Sequence, residues 1–295
     1  MRRWNSSWRW ALVAAVAAVL GYAVGVLGLG WPGHGALAHQ RWRAERLARI
    51  ERGVNALLVQ LPEARSLAPW YNHPGKHQFL DAVADCVTTD RVGKVGDGGK
   101  WVCNAYKLPH PCVVYGMGAG PEISFEIAMA HDYGCEVHVF DPTPSVVKRF
   151  ADYTRGRSFG AGSVTFHPWG VGPVSDQAGE ARGLVLEGQV CETKTVSDIV
   201  AALGQSHVDV LKIDIEGSEF PVFGDLFARN LLKRLRVTQL MVEFHVPDPA
   251  HFVRQWEIID TLTRDGYLLF RKELNPFNGG WCAEYAFAER SFLVD

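Results

Sequence analysis

Two pairs of polar residues follow apolar runs that are typical of buried strands, and both pairs could do chemistry. Asp214 and Glu216 follow one run, and Glu243 and His245 follow the next. A spacing of two puts both members of a pair on the same face of a strand. Carboxylates there could ligate a metal, bind a cation or position a substrate, because burying them unpaired is costly. His245 could be a base, a ligand or a hydrogen-bonded core histidine.

A glycine-rich segment, Gly116-Met117-Gly118-Ala119-Gly120, lies between a predicted strand and a predicted helix. Glycines in this position let a ligand approach backbone N–H groups at a helix N-terminus, although a plain tight turn would look the same. Asp141 follows at the end of the next strand. An acid about 20 residues beyond a glycine loop can bind the two hydroxyls of a ribose. The alternative interpretation of Asp141 is a cap on an Asp-Pro turn.

The pattern of the chain predicts a scaffold that brings these strand ends together. The predicted strands are 112–115, 136–140, 163–167, 208–213 and 237–244, with a closing hairpin-like pair at 267–271 and 284–288. The predicted helices are 121–133, 144–153, 195–203 and 249–264. This alternation predicts an α/β domain with a mainly parallel sheet that is covered by helices on both faces. Ligands of such sheets bind at the carboxyl ends of the strands.

Composition narrows the classes of function. The 295 residues include 30 Lys+Arg and 32 Asp+Glu, which gives a formal net charge of −2. With 47% hydrophobic and 21% charged residues, the chain is globular rather than disordered. A near-neutral balance argues against a nucleic-acid-coating role, because that role needs a basic excess. No nucleic-acid partner is therefore expected.

The N-terminal region has the pattern of a membrane anchor. Residues 11–30 form an uncharged run long enough to span a bilayer as a helix, flanked by Trp8 and Trp10 on one side and Trp31 on the other. This predicts a cytosolic tail (1–10), a transmembrane signal-anchor (11–31), a stalk or linker (32–75) and a single domain (76–295). A cleaved signal peptide and a buried core helix are the alternatives. In both the anchor and the cleaved-signal interpretations, the domain lies in the Golgi or ER lumen or outside the cell.

The stalk contains a charged helical stretch with an apolar stripe. Its apolar positions alternate at spacings of three and four: Leu47, Ile50, Val54, Leu57 and Leu61. The stripe covers only about two heptads, so it favours a stalk helix that packs on the domain. Self-association through this helix is the alternative.

The chain resembles the FkbM-type branch of S-adenosylmethionine-dependent methyltransferases, and within it the single-pass methyltransferase-like proteins with an N-terminal anchor. The matching segments are 95–103, 114–120, 139–144, 167–170, 211–219 and 243–245, and the Lys212-to-Gly217 run is the most specific of them. The resemblance covers roughly residues 80–290. It implies a Rossmann-like methyltransferase fold with seven strands, the last of them antiparallel, and S-adenosylmethionine as the cofactor.

The resemblance also implies roles for the residues above. The cofactor-binding set would be Gly116, Gly118, Gly120, Asp141, Trp169, Asp214 and Glu216. Asp141 would hold the ribose hydroxyls, and the region of His167 and Trp169 would lie near the adenine. Many such enzymes carry an acid shortly before the first glycine, where this chain has Val-Val-Tyr, and Glu122 is a candidate to compensate.

The expected reaction is methyl transfer to a hydroxyl oxygen of a small-molecule or glycan acceptor. A base must then take the hydroxyl proton, and the candidates in order of preference are His245, Glu243 and Asp214. No bound metal is expected. The alternatives are a metal-dependent lumenal glycosyltransferase that uses Asp214 and Glu216, and a non-catalytic module that keeps the fold.

Two further features complete the predictions. Asp97-Gly98-Gly99 is interpreted as a hairpin turn or as a flap over the cofactor pocket. The six cysteines have no zinc-type spacing, and an even count permits disulfides in a lumenal domain. Cys86 with Cys103 is the preferred pair, because both lie outside the predicted central sheet. Cys112 and Cys135 are interpreted as buried thiols.

Overall fold

The computed structural model describes residues 81–120, 122–172, 183–275 and 282–293. The predictions for the tail, the signal-anchor, the stalk and its apolar stripe fall on residues 1–75 and lie outside the described residues. Across the described ranges, every helix is too short or too polar to cross a bilayer.

The centre of the protein is a seven-stranded sheet that confirms the predicted fold class. Its strands are β3 (Val113–Met117), β4 (Glu136–Phe140), β5 (Ser163–His167), β9 (Val210–Ile213), β10 (Gln239–His245), β11 (Tyr267–Leu274) and β12 (Cys282–Glu289). They lie in the order β11-β12-β10-β9-β3-β4-β5. The last strand, β12, is antiparallel to both neighbours, and the other observed pairings in this sheet are parallel. This is the topology of the Rossmann-like methyltransferase fold.

Helices cover both faces of the sheet. They are α1 (Ser124–Tyr133), α2 (Pro144–Thr154), α3 (Val196–Leu203), α4 (Glu219–Ala228), α5 (Leu231–Arg234), α6 (Pro249–Arg264) and α7 (Arg290–Leu293). Right-handed crossovers place α1 and α2 on one face and α3, α4 and α6 on the other, because the chain reverses direction across the sheet after β5. Thr195 forms a capping box with Asp198 at the start of α3.

A two-stranded hairpin precedes the sheet and confirms the predicted turn at Asp97-Gly98-Gly99. Its strands are β1 (Thr89–Val92) and β2 (Lys100–Cys103), paired antiparallel. Strand β1 contacts α1, while β2 contacts β10 and β12. The hairpin therefore covers the part of the sheet face that lies beside α1.

A small three-stranded sheet between β5 and α3 was absent from the predictions. It consists of β6 (Gly170–Val171), β7 (Gly183–Leu186) and β8 (Gln189–Lys194) in the order β6-β8-β7. Several of its apolar side chains, such as Val185 and Val190, are exposed. Without a buried face there is no apolar alternation to signal a strand.

The cysteines form two disulfides, one predicted and one not. Cys86–Cys103 confirms the preferred pair. The interpretation of Cys112 and Cys135 as buried thiols is wrong, because they are bonded to each other with their Cα atoms 4.4 Å apart. Strands β3 and β4 pair in parallel with Val113 opposite Glu136, so the two preceding cysteines are neighbours. The pairing depends on strand register, which their sequence separation of 23 does not reveal.

Candidate active site

The carboxyl ends of five parallel strands carry the candidate residues in spatial order. Along this edge, Trp169 follows β5, Asp141 follows β4, and the glycine loop spans the end of β3 and the turn beyond it. Asp214 and Glu216 follow β9, and Glu243 and His245 end β10. The structure therefore brings all the predicted site residues to one edge, with the glycine loop between the acids of β4 and those of β9.

The three glycines of the loop differ in what surrounds them. A Cβ on Gly118 would lie 1.7 Å from the carbonyl oxygen of Asp214, and its φ is +83°. A Cβ on Gly116 would lie 2.8 Å from a carboxylate oxygen of Glu126. Gly120, at φ +54°, has open space where its Cβ would be. The protein itself therefore crowds Gly116 and Gly118, and Gly120 is the position open to a ligand.

Asp141 organises the glycine loop. Its Oδ2 accepts hydrogen bonds from the backbone N–H groups of Ala119, at 2.9 Å, and Gly120, at 3.0 Å. Its Oδ1 accepts one from Thr143 N–H at 2.9 Å. The residue is only 6% exposed. The carboxylate thus fixes the loop from which a ligand would be held, and also caps the turn that follows β4.

An aromatic stack lies beyond β5, where the adenine is predicted. The ring of Trp169 lies 4.9 Å from that of His167, and the Lys194 ammonium is 4.7 Å from the Trp169 centroid. Burial and the neighbouring His138 lower the pKa of His167 to about 4. His167 is therefore a neutral stacking partner at physiological pH.

A buried cation joins three carboxylates on neighbouring strands. The Lys100 ammonium, carried by β2, lies 3.3 Å from Asp214 Oδ2 and 3.8 Å from Glu243 Oε2, and it is hydrogen-bonded to Glu284. Glu243 and Glu284 face each other across β10 and β12. We call Lys100, Asp214, Glu243 and Glu284 the Lys100 cluster.

Burial and the neighbouring charges shift the pKa values of the groups in this cluster. Burial alone would lower the pKa of Lys100, but attraction to Glu284, Asp214 and Glu243 outweighs it and raises that pKa above its usual value. Burial, together with repulsion from Glu243 and Asp214, raises the pKa of Glu284 to about 8. Burial also opposes ionisation of Asp214, yet Lys100, Lys212 and His245 hold its pKa below the usual value. The Lys100 ammonium therefore favours ionised Asp214, while Glu284 holds its proton more tightly than an ordinary glutamate does.

His245 is an ion-pair partner rather than a free imidazole. Its Nδ1 lies 2.9 Å from Glu219 Oε1, and its Nε2 lies 3.4 Å from Glu216 Oε2. Burial opposes the charge, but hydrogen bonds to Cys282 and Glu219 and the charges of Glu219 and Glu216 raise the pKa of His245 to about 11. The ring therefore carries both of its protons at neutral pH.

Glu216 stands out by conformation and exposure. Its backbone φ is +55°, a left-handed value that is unusual for a residue other than glycine and that often marks functional sites. Its side chain is 76% exposed. Burial of part of the residue and the nearby carboxylates raise its pKa above the usual value, despite the attraction to His245.

Helix α1 places an acid, Glu126, beside Gly116, where the chain lacks one before the glycine loop. Glu126 is fully buried beside Gly116, and its Oε1 lies 3.2 Å from Lys212 Nζ, which donates to the Gly118 carbonyl at 2.5 Å. Glu122 instead accepts a hydrogen bond from Ser124 N–H at the start of α1. Glu122 precedes α1 and Glu126 lies within it, and sequence position alone does not tell which one turns inward.

Sequence reasoning missed four groups of the site: Lys100, Glu284, Glu219 and the Glu126–Lys212 pair. Lys100 and Glu219 lie within the segments that carry the family resemblance, but that resemblance assigned neither residue a role. Glu284 begins the second strand of the predicted closing pair, and its contact with Lys100 spans a sequence separation of 184. Only the packing of the hairpin on the sheet reveals that contact.

Three carboxylates at this edge have the spacing of possible metal ligands. Asp214, Glu243 and Glu284 place their oxygens within 4.8 Å of one another, as a metal site requires. The Lys100 ammonium, however, lies against the same oxygens and supplies the positive charge. The residues of this triad fit an internal ion pair better than a divalent cation.

A cavity of about 410 Å³ opens beside the glycine loop. It lies between α1 and α2, with Gly120, Ile127, Val146 and Phe150 among its lining residues. The cavity lies away from the Lys100 cluster and His245, so it adjoins the site without containing the predicted catalytic residues.

Comparison with known proteins places the chain in a family. Residues 60–289 match the family described as Methyltransferase domain. Two curated relatives, both named "Probable methyltransferase-like protein 24", are 27% identical over 169 residues in Rattus norvegicus and over 140 residues in Homo sapiens. These matches cover 54% and 47% of this chain but only 42% and 34% of the relatives, so the chain spans less than half of their length.

Solved structures of distant proteins are also similar to this chain. Aeropyrum pernix fibrillarin in complex with natively bound S-adenosyl-L-methionine has 12% identity and a TM-score of 0.38, covering 70% of this chain and 88% of that one. Magnesium protoporphyrin IX methyltransferase from Synechocystis, with bound SAM, has 14% identity and a TM-score of 0.36, covering 62% and 72%.

Proposed function

We propose that this chain, which belongs to the methyltransferase domain family, transfers a methyl group from S-adenosylmethionine to a hydroxyl oxygen of an acceptor. The observation that carries the proposal is the meeting of three groups at one edge of the sheet. The amide of Gly120 lies 3.0 Å from the Asp141 carboxylate, and Gly118 packs against the backbone of Asp214. A donor-binding loop and an acidic acceptor side are thus in contact.

S-adenosylmethionine supplies a methyl group that is already activated as a sulfonium. Gly120 offers an open backbone position and Asp141 a carboxylate beside it, while Trp169 offers an aromatic face. The two cations Lys100 and His245 are surrounded by five carboxyl groups, those of Asp214, Glu216, Glu219, Glu243 and Glu284. Acidic groups outnumber these two cations even though Glu284 holds its proton near neutral pH, which fits a cationic ligand.

Glu216 is the base of the proposed reaction, ahead of the three residues that the sequence favoured. His245 already holds its proton, Glu243 is buried against Lys100 and Asn275, and Asp214 has a lowered pKa. Glu216 is exposed, and its raised pKa makes it the stronger proton acceptor. The neighbouring His245 imidazolium would orient its carboxylate.

Substitution of Asp141 tests the donor site. We expect Asp141→Ala to weaken binding of S-adenosylhomocysteine by about 1.5–3 kcal/mol, because the variant loses charge-assisted hydrogen bonds that shape the loop. Isothermal titration calorimetry on the full chain measures the affinity. Asp152→Ala, an exposed site on α2 that pairs with Arg155, is the matched control. Unchanged affinity in a folded Asp141→Ala protein would refute the assignment.

Two further measurements separate this proposal from its alternatives. Binding of S-adenosylhomocysteine without a metal supports a methyltransferase, whereas binding of a UDP- or GDP-sugar that requires Mn²⁺ supports a glycosyltransferase. A chain that binds neither ligand would be a non-catalytic module. Hydroxyl methylation is tested with radiolabelled donor and a panel of glycans and small alcohols, since a methyl ether survives alkali while a methyl ester does not.

The FkbM-type assignment and the lumenal location belong to the same proposal. The Lys212-to-Gly217 run supports the first. Two disulfides in the described residues support an oxidising compartment for the domain. An anchor at residues 11–31 would keep the full chain in the membrane pellet after an alkaline carbonate wash, and recovery in the supernatant would refute it.

A further inference from the structure

We propose that Lys100, which is carried by the β1–β2 hairpin, is a positioning residue of the transfer site. Its ammonium holds the Asp214 carboxylate in the orientation in which a ligand would meet it. This inference rests on the proposed function, because it gives Lys100 a task at the same site. It also makes the hairpin part of the working site rather than a cover for the sheet.

The contacts of Lys100 are those of a residue with a fixed position. Its side chain is 1% exposed, and its three ammonium protons face three carboxylates. Those carboxylates come from three different places in the fold: the residue after β9, the end of β10 and the start of β12. One side chain from outside the sheet therefore joins three of its strands at the reactive edge.

Stability alone does not account for such a cluster. Buried ion pairs are often no more stabilising than apolar side chains of the same volume, since charges lose their hydration on burial. An apolar residue at position 100 with neutral partners would close the core as well. What an apolar residue could not do is fix the direction of a carboxylate that must remain charged.

Asp214 is the member of the cluster that reaches outward. Its side chain is 21% exposed, while that of Glu243 is 5% exposed. Its carbonyl oxygen lies where a Cβ of Gly118 would be, so it touches the donor loop. Two residues later comes Glu216, the proposed base. Lys100 therefore acts on both halves of the site through Asp214.

The hairpin that carries Lys100 is anchored to the rest of the domain by several contacts. Cys103 is bonded to Cys86, and its backbone N–H and carbonyl both hydrogen-bond to the Gln239 side chain at 2.8 Å. Trp101 Nε1 donates to Glu273 at 2.6 Å. Gly98 packs against the Glu122 side chain, where an added Cβ would be 2.0 Å from its Cγ. The hairpin is thus fastened to β10, β11 and the loop that leads into α1.

Lys100→Met tests the proposal through donor binding, which needs no acceptor. We expect S-adenosylhomocysteine affinity to fall by about tenfold or more, because Asp214 is released beside the loop. Lys100→Arg keeps the charge and should retain more of the affinity than Lys100→Met. Lys94→Met removes an exposed lysine of the same hairpin and should leave the affinity unchanged.

A double variant separates positioning from stability. Lys100→Met with Glu284→Gln removes the ammonium together with one of the carboxyl groups that face it, so we expect the melting temperature to recover while the affinity stays low. Wild-type affinity in either Met variant would overturn the proposal. A wild-type chain that binds no S-adenosylhomocysteine would instead refute the proposed function, so the two failures are distinguishable.

Discussion

At the scale of single residues, the glycine loop shows that three similar positions have different duties. Gly118 is needed because the Asp214 carbonyl occupies the space of a side chain, and Gly116 because Glu126 lies beside it. Gly120 is free on the side where a Cβ would be. A pattern of alternating glycines therefore mixes packing requirements with ligand access.

A matched pair of alanine substitutions tests this distinction. Gly118→Ala combines a left-handed φ with a direct clash, and we expect it to destabilise the protein by about 3 kcal/mol or more. Gly120→Ala carries only the conformational cost, about 1 kcal/mol. Urea unfolding of both variants gives the comparison. Equal losses of stability would contradict the contact with Asp214.

The residues of the site were predictable where the signal is local and unpredictable where it is not. Asp141, Asp214 and Glu243 were recognised because each follows or ends an apolar strand. The protonation of His245 depends on Glu219 and Cys282, which reach it through the start of α4 and through β12. The sequence of the strand that carries His245 does not reveal these two partners. The sequence therefore could not show that His245 is unsuited to act as a base.

At the scale of elements, the end of β10 is tied to the turn before α4 by His245. Ion pairs with Glu219 and Glu216 link the two, and Glu219 also accepts hydrogen bonds from the backbone N–H groups of Ile215 and Gly217. The loop that carries the proposed base is thus held by a charge that depends on pH.

This charge predicts a loss of stability as the pH rises. The folded pKa of His245 is about 11, against about 6.5 for an unperturbed histidine, so its contribution is complete below pH 6.5 and is lost towards pH 11. Glu284, with a folded pKa of about 8, acts in the same direction because the folded state holds its proton longer. Urea midpoints between pH 6.5 and 9 should therefore decrease.

His245→Gln should flatten that decrease, since the variant has no imidazole to deprotonate. His131→Gln, at an exposed histidine paired with Asp132 on α1, should leave the slope unchanged. A midpoint that stays constant or rises with pH in the wild-type protein would contradict the ion pairs of His245.

The elements themselves were largely predictable. The five strands and the four predicted helices of the alternating pattern occur near their expected positions, because buried strands and helix-terminal Pro and Gly residues carry local signals, whereas helix α4 was not predicted. The small sheet of β6, β7 and β8 was missed since its apolar side chains are exposed. The packing of the β1–β2 hairpin on the sheet was not predicted, because it depends on contacts with residues far along the chain, such as Gln239 and Glu273.

At the scale of the whole molecule, two disulfides flank the start of the sheet. Cys86–Cys103 closes the hairpin region and Cys112–Cys135 joins the residues that precede β3 and β4. Peptide mapping without reduction should find both bridges, with Cys191 and Cys282 as thiols. We expect Cys112→Ser with Cys135→Ser to cost about 2–5 kcal/mol of unfolding free energy. Recovery of alkylated Cys112 from the folded native protein would contradict the second bridge.

The contact between Gly118 and the carbonyl of Asp214 joins the glycine loop directly to the segment that leads to Glu216. In the proposed reaction, a donor held by this loop would therefore lie against the segment that carries Glu216, and we expect it to favour binding of the acceptor after it. Kinetics should then follow a compulsory order, in which the donor enters first and the demethylated donor leaves last.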